Sequence, residues 1–540
     1  MRERRVHVKK LTDTYAQHQP AAVLMIQGTA SDVGKSLVTA AIGRIMMQDG
    51  YRVAPYKSQN MALNSYVTED GKEIGRAQGM QAEAFGITAT TDMNPILLKP
   101  SGEMSAQIVV HGVPHTALSA REYREKFLPE AKDTVMSALG RLREAYDAVL
   151  MEGAGSPAEI NLKARDIVNM NLAGWADAPV ILVADIDRGG VFAFLVGTLE
   201  LLEPHERARV KGFIINKFRG DLSLLQPGLD WLEQRTGIPV LGVLPFLPQL
   251  RIEAEDSVVL DAAPARLAGS SKELDIAVIR YPRISNFTDF DPLQAEPDAS
   301  VRYVNTAAEL GTPDVIILPG TKNTAADLAF LRQQGFSAAI AAALRQGTQQ
   351  LAGICGGYQM LGQRLLDPDA VEGSEPGESE GLGYLPLSTV FLQHKTTVRV
   401  TGTLAGGHPL QLGGVTQQEA ANIPVGGYEI HMGATTNHDA AAVRSLFRLD
   451  RKDGQEQLEG WGTPDGRIWG TYLHGLFHND ELRRRWLDGL RVAKGLAPKA
   501  VTFSAADLRE QEFDRLASSV RENLNMEAVY AIMGLPGKEE

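Results

Sequence analysis

Short apolar runs alternate with stretches of helical periodicity from residue 21 to about residue 250. The runs are rich in Val, Ile and Leu and do not alternate with polar residues, which is typical of strands buried on both faces of a parallel sheet. They span residues 22–27, 52–56, 148–151, 179–184, 212–216 and 239–244. The pattern predicts an α/β domain with a parallel sheet and helices outside it.

A second series of apolar runs, at residues 276–279, 315–318 and 351–354, predicts a second α/β domain. Breaker residues predict a linker at 261–273 and a surface loop at 367–383. We therefore divide the chain into a flexible extension (1–20), a first domain (21–260), the linker (261–273), a second domain (274–485) and a polar helical tail (486–540).

Composition narrows the function classes. A net charge of −12 argues against a nucleic-acid surface, and no apolar run reaches the roughly 18 residues of a membrane span. A single cysteine excludes a disulfide framework and suits a reducing compartment. We expect a cytoplasmic protein that binds neither nucleic acid nor membrane. The oligomeric state is left open.

The first predicted strand is followed by Gly28-Thr-Ala-Ser-Asp-Val-Gly34-Lys35-Ser36, which opens a helix. Backbone amides and a helix N-terminus at such a turn can hold phosphates. Lys35 is expected to reach the outer phosphates of a nucleotide, and the Ser36 hydroxyl to bind Mg²⁺. The spacing differs from the common phosphate loop, because five residues separate Gly28 from Gly34 instead of four. The alternative is a glycine-rich turn without a ligand.

Polar residues also follow the later strands, whose carboxyl ends meet at the ligand crevice of a parallel sheet. Glu152 is a candidate Mg²⁺ ligand, and Asn216 is a candidate contact to the nucleotide base. Asp185 and Asp187 could face the phosphates or cap the helix that begins near Gly190.

A lysine- and amide-rich segment, Lys57-Ser-Gln-Asn-Met-Ala-Leu-Asn-Ser65, follows the second strand. It suits an anionic or amide-bearing partner, although a capped helix start is an alternative. Glu429 and His431, on a later strand, could contact the same acceptor or satisfy one another. The candidate acceptor-binding residues are Lys57, Gln59, Asn60, Asn64, Glu429 and His431.

The only cysteine, Cys355, follows an apolar run and lies among Gly353, Gly356 and Gly357. Such a frame is typical of a nucleophile on a sharp strand-to-helix turn, where the helix N-terminus favours the thiolate. A small buried hydrophobic residue is the alternative, but it would not need three neighbouring glycines.

A cysteine nucleophile needs a base and an oxyanion hole. His474 ends a strand-like run and is the candidate base, whereas His478 is expected at the surface or at a helix start. The candidate oxyanion donors are the amide of Gly356 and one from the turn at Gly320.

These motifs carry a resemblance to known families. The first half resembles the ATP-binding domain of the dethiobiotin-synthetase type, through the loop of Gly28 and Lys35 and the segment that begins at Glu152. The second half resembles the class I glutamine amidotransferases, whose Gly-x-Cys-x-Gly-x-Gln motif is matched by Gly353, Cys355, Gly357 and Gln359. Leu476 stands where most of that class has a glutamate, which is typical of the cobyrinic-acid branch. What orients His474 is left open.

Within that branch, the segments at 28–36, 57–65 and 427–433 resemble a family that amidates the b, d, e and g carboxylates of adenosylcobyrinic acid a,c-diamide. The resemblance implies a glutamine-dependent amidoligase of cobalamin biosynthesis that uses ATP and Mg²⁺ on a corrinoid substrate. Cys355 would release ammonia from glutamine, and the first domain would activate the acceptor carboxylate.

The nearest alternative is the sister enzyme that makes cobyrinic acid a,c-diamide. CTP synthase would carry a glutamate in place of Leu476, and a partitioning ATPase would lack the cysteine-bearing half. A binding protein with a dead glutaminase would be expected to lose Cys355 or His474, and both are present.

Overall fold

The computed structural model describes residues 20–102, 105–253, 272–373, 375–451 and 456–537. Nearly all of the predicted extension (1–20) and most of the predicted linker (261–273) lie outside the described residues. Among the described helices, none is long and apolar enough to cross a membrane.

The first domain is built on a parallel sheet, which confirms the predicted fold class. The sheet's described strands, in spatial order, are Val240–Pro245, Val210–Phe218, Val180–Asp185, Ala22–Gly28, Ala148–Glu152 and Val53–Tyr56. The central strands are buried on both faces, as their uninterrupted apolar sequence requires. Because the strands are parallel, the residues that follow them gather along one edge.

Helices cover both faces of this sheet. In chain order they are Lys35–Gln48, Arg76–Ala84, Leu128–Ala145, Met170–Ala176, Val191–Leu201, Pro204–Arg207 and Leu222–Thr236. A smaller sheet lies beside them and consists of Gln59–Met61, Ile96–Gly102, Ser105–Val110 and Val113–Ser119. The strands Ser65–Val67 and Glu73–Gly75 form an antiparallel pair. Sequence periodicity predicted neither of these additions.

The second domain is built on a long mixed sheet. Its described strands run in the order Ala299–Val304, Leu274–Ile279, Val315–Leu318, Gln350–Ile354, Ile468–Thr471, Glu456–Gly462, Arg444–Asp450, Leu387–Leu404, Arg364–Asp367 and Gly377–Glu380, and Pro424–Asn437 pairs with Leu387–Leu404. The α-helices are Asp291–Ala295, Thr324–Gln333, Phe336–Gln346, Gly356–Leu361, Gln417–Ala420 and Asp480–Ala493. Both halves are therefore α/β domains, as predicted.

The segment predicted as a surface loop at 367–383 contains a strand, so that prediction is wrong in part. Gly377–Glu380 pairs antiparallel with Arg364–Asp367 at the edge of the sheet. The side chain of Asp367 accepts hydrogen bonds from the backbone amides of Val371, Glu372 and Gly373. These bonds close the turn and allow a polar edge strand to form.

The segment after residue 485 differs from the predicted polar tail. The boundary at 485 falls inside the helix Asp480–Ala493, which packs in the core of the second domain. The helices Ala505–Asn523 and Met526–Met533 return to the first domain. Their apolar side chains, which include Phe513, Leu516, Val520, Val529 and Tyr530, join the core on one face of the parallel sheet.

Candidate functional site

The phosphate loop lies between the strand Ala22–Gly28 and the helix Lys35–Gln48. Gly34 has a φ of 98°, and a Cβ on it would lie 2.2 Å from Nδ2 of Asn216. Only glycine satisfies both the positive φ and the close approach at this position.

The cation of Lys35 is held at the mouth of this loop. Its Nζ donates to the carbonyl oxygens of Ala30 at 2.9 Å and Gly155 at 3.1 Å. Lys35 is buried. Ala30 and Gly155, which follow two different strands, therefore fix the position of its charge.

Next to the loop, Glu152 connects two of the predicted functional residues. Its Oε1 accepts from Ser36 Oγ at 2.9 Å and from Lys57 Nζ at 3.0 Å, and its Oε2 accepts from Gln81. Burial opposes ionisation of Glu152, but the charge of Lys57 and the bond from Gln81 outweigh it and lower its pKa. A charged carboxylate thus stands beside a serine hydroxyl.

This oxygen pair fits the donor chemistry of Mg²⁺. Mg²⁺ is commonly held by one or two protein oxygens, with phosphates and water completing its octahedron. Ser36 and Glu152 supply such a pair beside the loop. Within the described ranges, no cluster of three or more His, Cys, Asp or Glu could hold a metal by itself.

Of the other strand-end residues, Asn216 contacts the loop directly. Asn216 donates from Nδ2 to the carbonyl of Val33 at 2.8 Å, so its amide braces the turn from the adjacent strand. Asp185 accepts from Lys217 at 2.8 Å, and Asp187 pairs with Arg219. The helix Val191–Leu201 has no side-chain cap, so the capping alternative for the two aspartates is wrong.

The phosphate loop opens into a cavity of about 1490 Å³. Lys57, Gln59 and Asn60 line it, together with an apolar wall from the small sheet that includes Leu98 and Ile108. The segment of Lys57 forms the strand Gln59–Met61, which rules out the alternative of a capped helix start. The cavity therefore combines a phosphate-binding end, polar groups and an apolar wall.

The remaining acceptor candidates do not line this cavity. Asn64 is buried, and its backbone carbonyl accepts from the amide of Arg76 in the same domain. Glu429 pairs with Arg451 at 2.9 Å and lies 3.4 Å from Nε2 of His431. This geometry favours the alternative in which the polar groups of the later strand satisfy one another.

Cys355 stands on the sharp turn between the strand Gln350–Ile354 and the helix Gly356–Leu361. Its φ of 51° is unusual for a residue with a Cβ, and such strain is typical of a nucleophile elbow. A Cβ on Gly357 would lie 1.9 Å from the carbonyl oxygen of Leu318, so this glycine is required for the helix to pack on the sheet. The glycine frame thus has the structural cause that the sequence suggested.

His474 is fully buried beside Cys355 and is oriented by Asp289. Nδ1 of His474 lies 2.6 Å from Oδ2 of Asp289, whose other oxygen accepts from the amide of Gly475 at 2.9 Å. Burial opposes the charge on the imidazole, but Asp289 and Cys355 outweigh it and raise the pKa of His474 to about 10. Nε2 is therefore the atom that can exchange a proton with the cysteine.

The other predicted residues of this site take different positions. A Cβ on Gly320 would lie 3.1 Å from Cε1 of His474, and one on Gly356 would lie 2.5 Å from Thr321. Both glycines thus border the Cys–His pair, where an oxyanion would form. His478 instead lies 3.7 Å from Glu253, at the contact between the domains.

Several functional side chains escaped sequence reasoning, above all Asp289 and Asn286. They lie in the segment after the first strand of the second domain, at the carboxyl end of a parallel sheet. The available signal was weak: both residues follow a predicted strand, as Glu152 and Asn216 do, but apolar residues are interspersed among the polar ones of this segment. Lys395, which pairs with the buried Glu73 of the first domain, had no comparable signal.

Comparison with known proteins also finds two domains in this chain. Residues 24–259 match the CobQ/CobB/MinD/ParA nucleotide binding domain, and residues 275–482 match the CobB/CobQ-like glutamine amidotransferase domain. The chain is 53% identical to a cobyric acid synthase of Sorangium cellulosum over 95% of this chain and 99% of that protein. It is 52% identical to one of Desulforamulus reducens, over 95% and 98%. It is 49% identical to a cobyric acid synthase of Geobacillus kaustophilus over 95% of this chain and 98% of that protein.

Proposed function

The chain belongs to the cobyric acid synthase family of glutamine-dependent amidoligases, and we propose that it uses ATP to amidate the b, d, e and g carboxylates of adenosylcobyrinic acid a,c-diamide. The observation that carries this proposal is the presence of two complementary sites in one chain. A buried Cys–His–Asp arrangement can release ammonia, and a phosphate loop opens into a cavity with polar and apolar walls.

Ammonia release begins at Cys355. Its thiol proton passes to Nε2 of His474, and the sulfur attacks the side-chain amide carbon of glutamine. His474 then gives that proton to the leaving nitrogen as the carbon–nitrogen bond breaks, which yields ammonia and a glutamyl thioester. Water hydrolyses the thioester to glutamate and restores the thiol. Asp289 keeps the imidazole in the tautomer that this proton transfer requires.

The acceptor is activated in the first domain, because a free carboxylate is a poor acylating group. One carboxylate oxygen attacks the outer phosphorus of ATP, and ADP leaves. Ammonia then attacks the acyl phosphate, so that phosphate departs and the amide forms. Lys35 neutralises charge on the transferred group, and Ser36 and Glu152 would hold Mg²⁺, which supplies further positive charge at the outer phosphates.

The cavity next to the phosphate loop is the proposed acceptor site. Its volume of about 1490 Å³ exceeds the roughly 300–1000 Å³ of a site for one drug-sized ligand, which supports occupancy by a nucleotide and a large second substrate. Lys57 lies 3.0 Å from Glu152, and therefore at the phosphate end, where a carboxylate awaiting transfer would lie. The apolar wall suits the body of a macrocycle.

Product analysis tests the proposal. Purified protein receives ATP, Mg²⁺, adenosylcobyrinic acid a,c-diamide and glutamine labelled with ¹⁵N in its side-chain amide. We expect partly amidated intermediates followed by a product with label in each of the b, d, e and g amides. The sister reaction predicts a different result: preferential use of cobyrinic acid, with amidation stopping at the a,c-diamide. That result would overturn the proposal.

A further inference from the structure

One side chain, Asn286, joins the two domains at the histidine of the glutaminase site. Its Oδ1 accepts from the backbone amide of Ser65 at 3.0 Å, and its Nδ2 lies 3.4 Å from Nε2 of His474. Asn286 is 4% exposed and has a φ of 53°, a conformation that asparagine adopts more readily than most residues. Asn286 is therefore held in a defined position in the interface between the domains.

The orientation of this amide follows from its partners. The backbone N–H of Ser65 can only donate, so the oxygen of Asn286 must face it and the NH₂ group must face His474. Asp289 faces Nδ1, so in the neutral imidazole the lone pair of Nε2 would lie opposite that NH₂ group. A donor in this position opposes protonation of Nε2 and so acts against Asp289 and Cys355, which raise the pKa of His474.

Ser65 lies at the end of the segment that begins at Lys57. Gln59 and Asn60 of this segment line the cavity beside the phosphate loop. The hydroxyl of Ser65 donates to Glu73 at 2.5 Å and accepts from Lys99 at 2.8 Å. The chain from Asn60 to Ser65 therefore connects the lining of the cavity to the backbone amide that donates to Asn286.

We propose that Asn286 couples glutamine hydrolysis to occupancy of the acceptor cavity. Ser65 fixes the amide with its NH₂ group towards His474. When the acceptor shifts the segment, the amide is released and turns its oxygen towards Nε2. That oxygen accepts the Nε2–H bond formed when the thiol of Cys355 loses its proton. The inference rests on the proposed function, since it takes the corrinoid diacid as the ligand of the cavity.

Two substitutions at Asn286 separate the effect of losing the whole amide from the effect of replacing its NH₂ group alone. Asn286→Gly removes the side-chain amide, both its oxygen and its NH₂ group, and glycine tolerates the positive φ. Asn286→Asp keeps an acceptor for Ser65 and replaces the NH₂ group with an oxygen that accepts from Nε2. Asn305→Asp, at an exposed position of the same domain, is the matched control.

The experiment measures glutamate release by the full-length protein with and without ATP, Mg²⁺ and adenosylcobyrinic acid a,c-diamide. We expect stimulation by the acceptor in the wild type and in Asn305→Asp. Asn286→Gly should lower the stimulation ratio at least about fivefold, the lower end of typical coupling between sites. Asn286→Asp should raise hydrolysis without the acceptor towards the stimulated rate. Ammonium-dependent amidation should persist in both variants, which shows that they are folded.

A stimulation ratio in Asn286→Gly equal to that of the wild type would overturn the coupling. So would an equal loss of hydrolysis under both conditions, which indicates a structural role alone. If the wild type amidates the corrinoid with ammonium but shows no stimulation, the coupling is wrong and the proposed function stands. If the wild type forms no amide from either nitrogen source, both are overturned.

Discussion

Replacing Asp289 with asparagine tests whether this carboxylate orients His474, the proposed base of the glutaminase site. The amide of Gly475 donates to Oδ1 of Asp289 at 2.9 Å, so the oxygen of the new asparagine must remain there. Its NH₂ group then faces Nδ1 of His474 in place of a carboxylate oxygen. Nδ1 must accept a hydrogen bond, the proton moves to Nε2, and His474 can no longer take the proton of Cys355.

The magnitude follows from the lost interaction. A hydrogen bond to a charged group contributes about 1.5–3 kcal/mol net, or roughly 10- to 150-fold in rate. The wrong tautomer adds to this loss, and the analogous change in a serine protease costs on the order of 10⁴ in turnover. We therefore expect Asp289→Asn to lower kcat for glutamine hydrolysis by about 10²- to 10⁴-fold. The KM for glutamine should change little, because Asp289 contacts His474 and the Gly475 amide.

Steady-state glutamate release gives kcat and KM, and ammonium-dependent amidation checks that the first domain still works. Asp291→Asn is the matched control, because burial and the neighbouring carboxylates raise the pKa of Asp291 well above its usual range. Its neutral acid and an amide are similar in charge and size, so hydrolysis should persist. Wild-type kcat in Asp289→Asn, or equal losses in the two variants, would refute the positioning role of Asp289.

Three further outcomes are expected from the same sites. Cys355→Ala should abolish glutamine-dependent amidation and leave the ammonium-dependent reaction, measured by product formation, intact; joint loss in a folded variant would refute the division of labour. Lys35→Ala should abolish amidation with either nitrogen source while basal glutamate release continues, and normal ammonium-dependent synthesis would refute the phosphate-loop assignment. Burial and the charge of Glu429 raise the pKa of Glu459 to about 8, above its ordinary 4.5, so the folded protein holds a proton there that the unfolded chain releases. Stability should fall as pH rises from about 4.5 towards 8, and Glu459→Gln should flatten this part of a plot of melting temperature against pH; parallel plots for the two proteins would contradict the assignment.

The parts of the fold that sequence could predict are those with local causes. Uninterrupted apolar runs identified the parallel strands, and glycines at Gly34 and Gly357 marked turns where a side chain would collide with neighbouring atoms. The phosphate loop and Cys355 stand where those turns require. Their chemistry and their backbone geometry are encoded in the same few residues.

Asp289 illustrates what local sequence did not show. It reaches His474 across 185 positions of the chain, and no spacing rule connects them. The prediction of a Cys–His pair left the orienting group open because Leu476 stands where a glutamate is usual in the wider class. The structure fills that role from another strand end, which only the assembled sheet brings close.

The C-terminal helices illustrate a signal that was present and missed. Phe513, Leu516 and Val520 follow the spacing of one helix face, and all three are buried against the first domain. Residues 486–540 also include the charged residues on the opposite face of the helix. The prediction of a polar tail therefore overlooked the apolar face. The charged residues have partners as well, since Asp514 accepts from Arg44 at 2.9 Å.

The contacts between the domains give the two chemistries a physical connection beyond the linker. The hairpin of Leu387–Leu404 and Pro424–Asn437 pairs Lys395 with Glu73 of the first domain. The same hairpin places the carbonyl of Ile430 3.6 Å from the sulfur of Cys355 and stacks Tyr428 on His474. The hairpin thus contacts both Glu73 of the first domain and the Cys–His pair, while Asn286 contacts both Ser65 and His474. Because these contacts are buried, we expect the geometry of the Cys–His pair to depend on how the two domains meet.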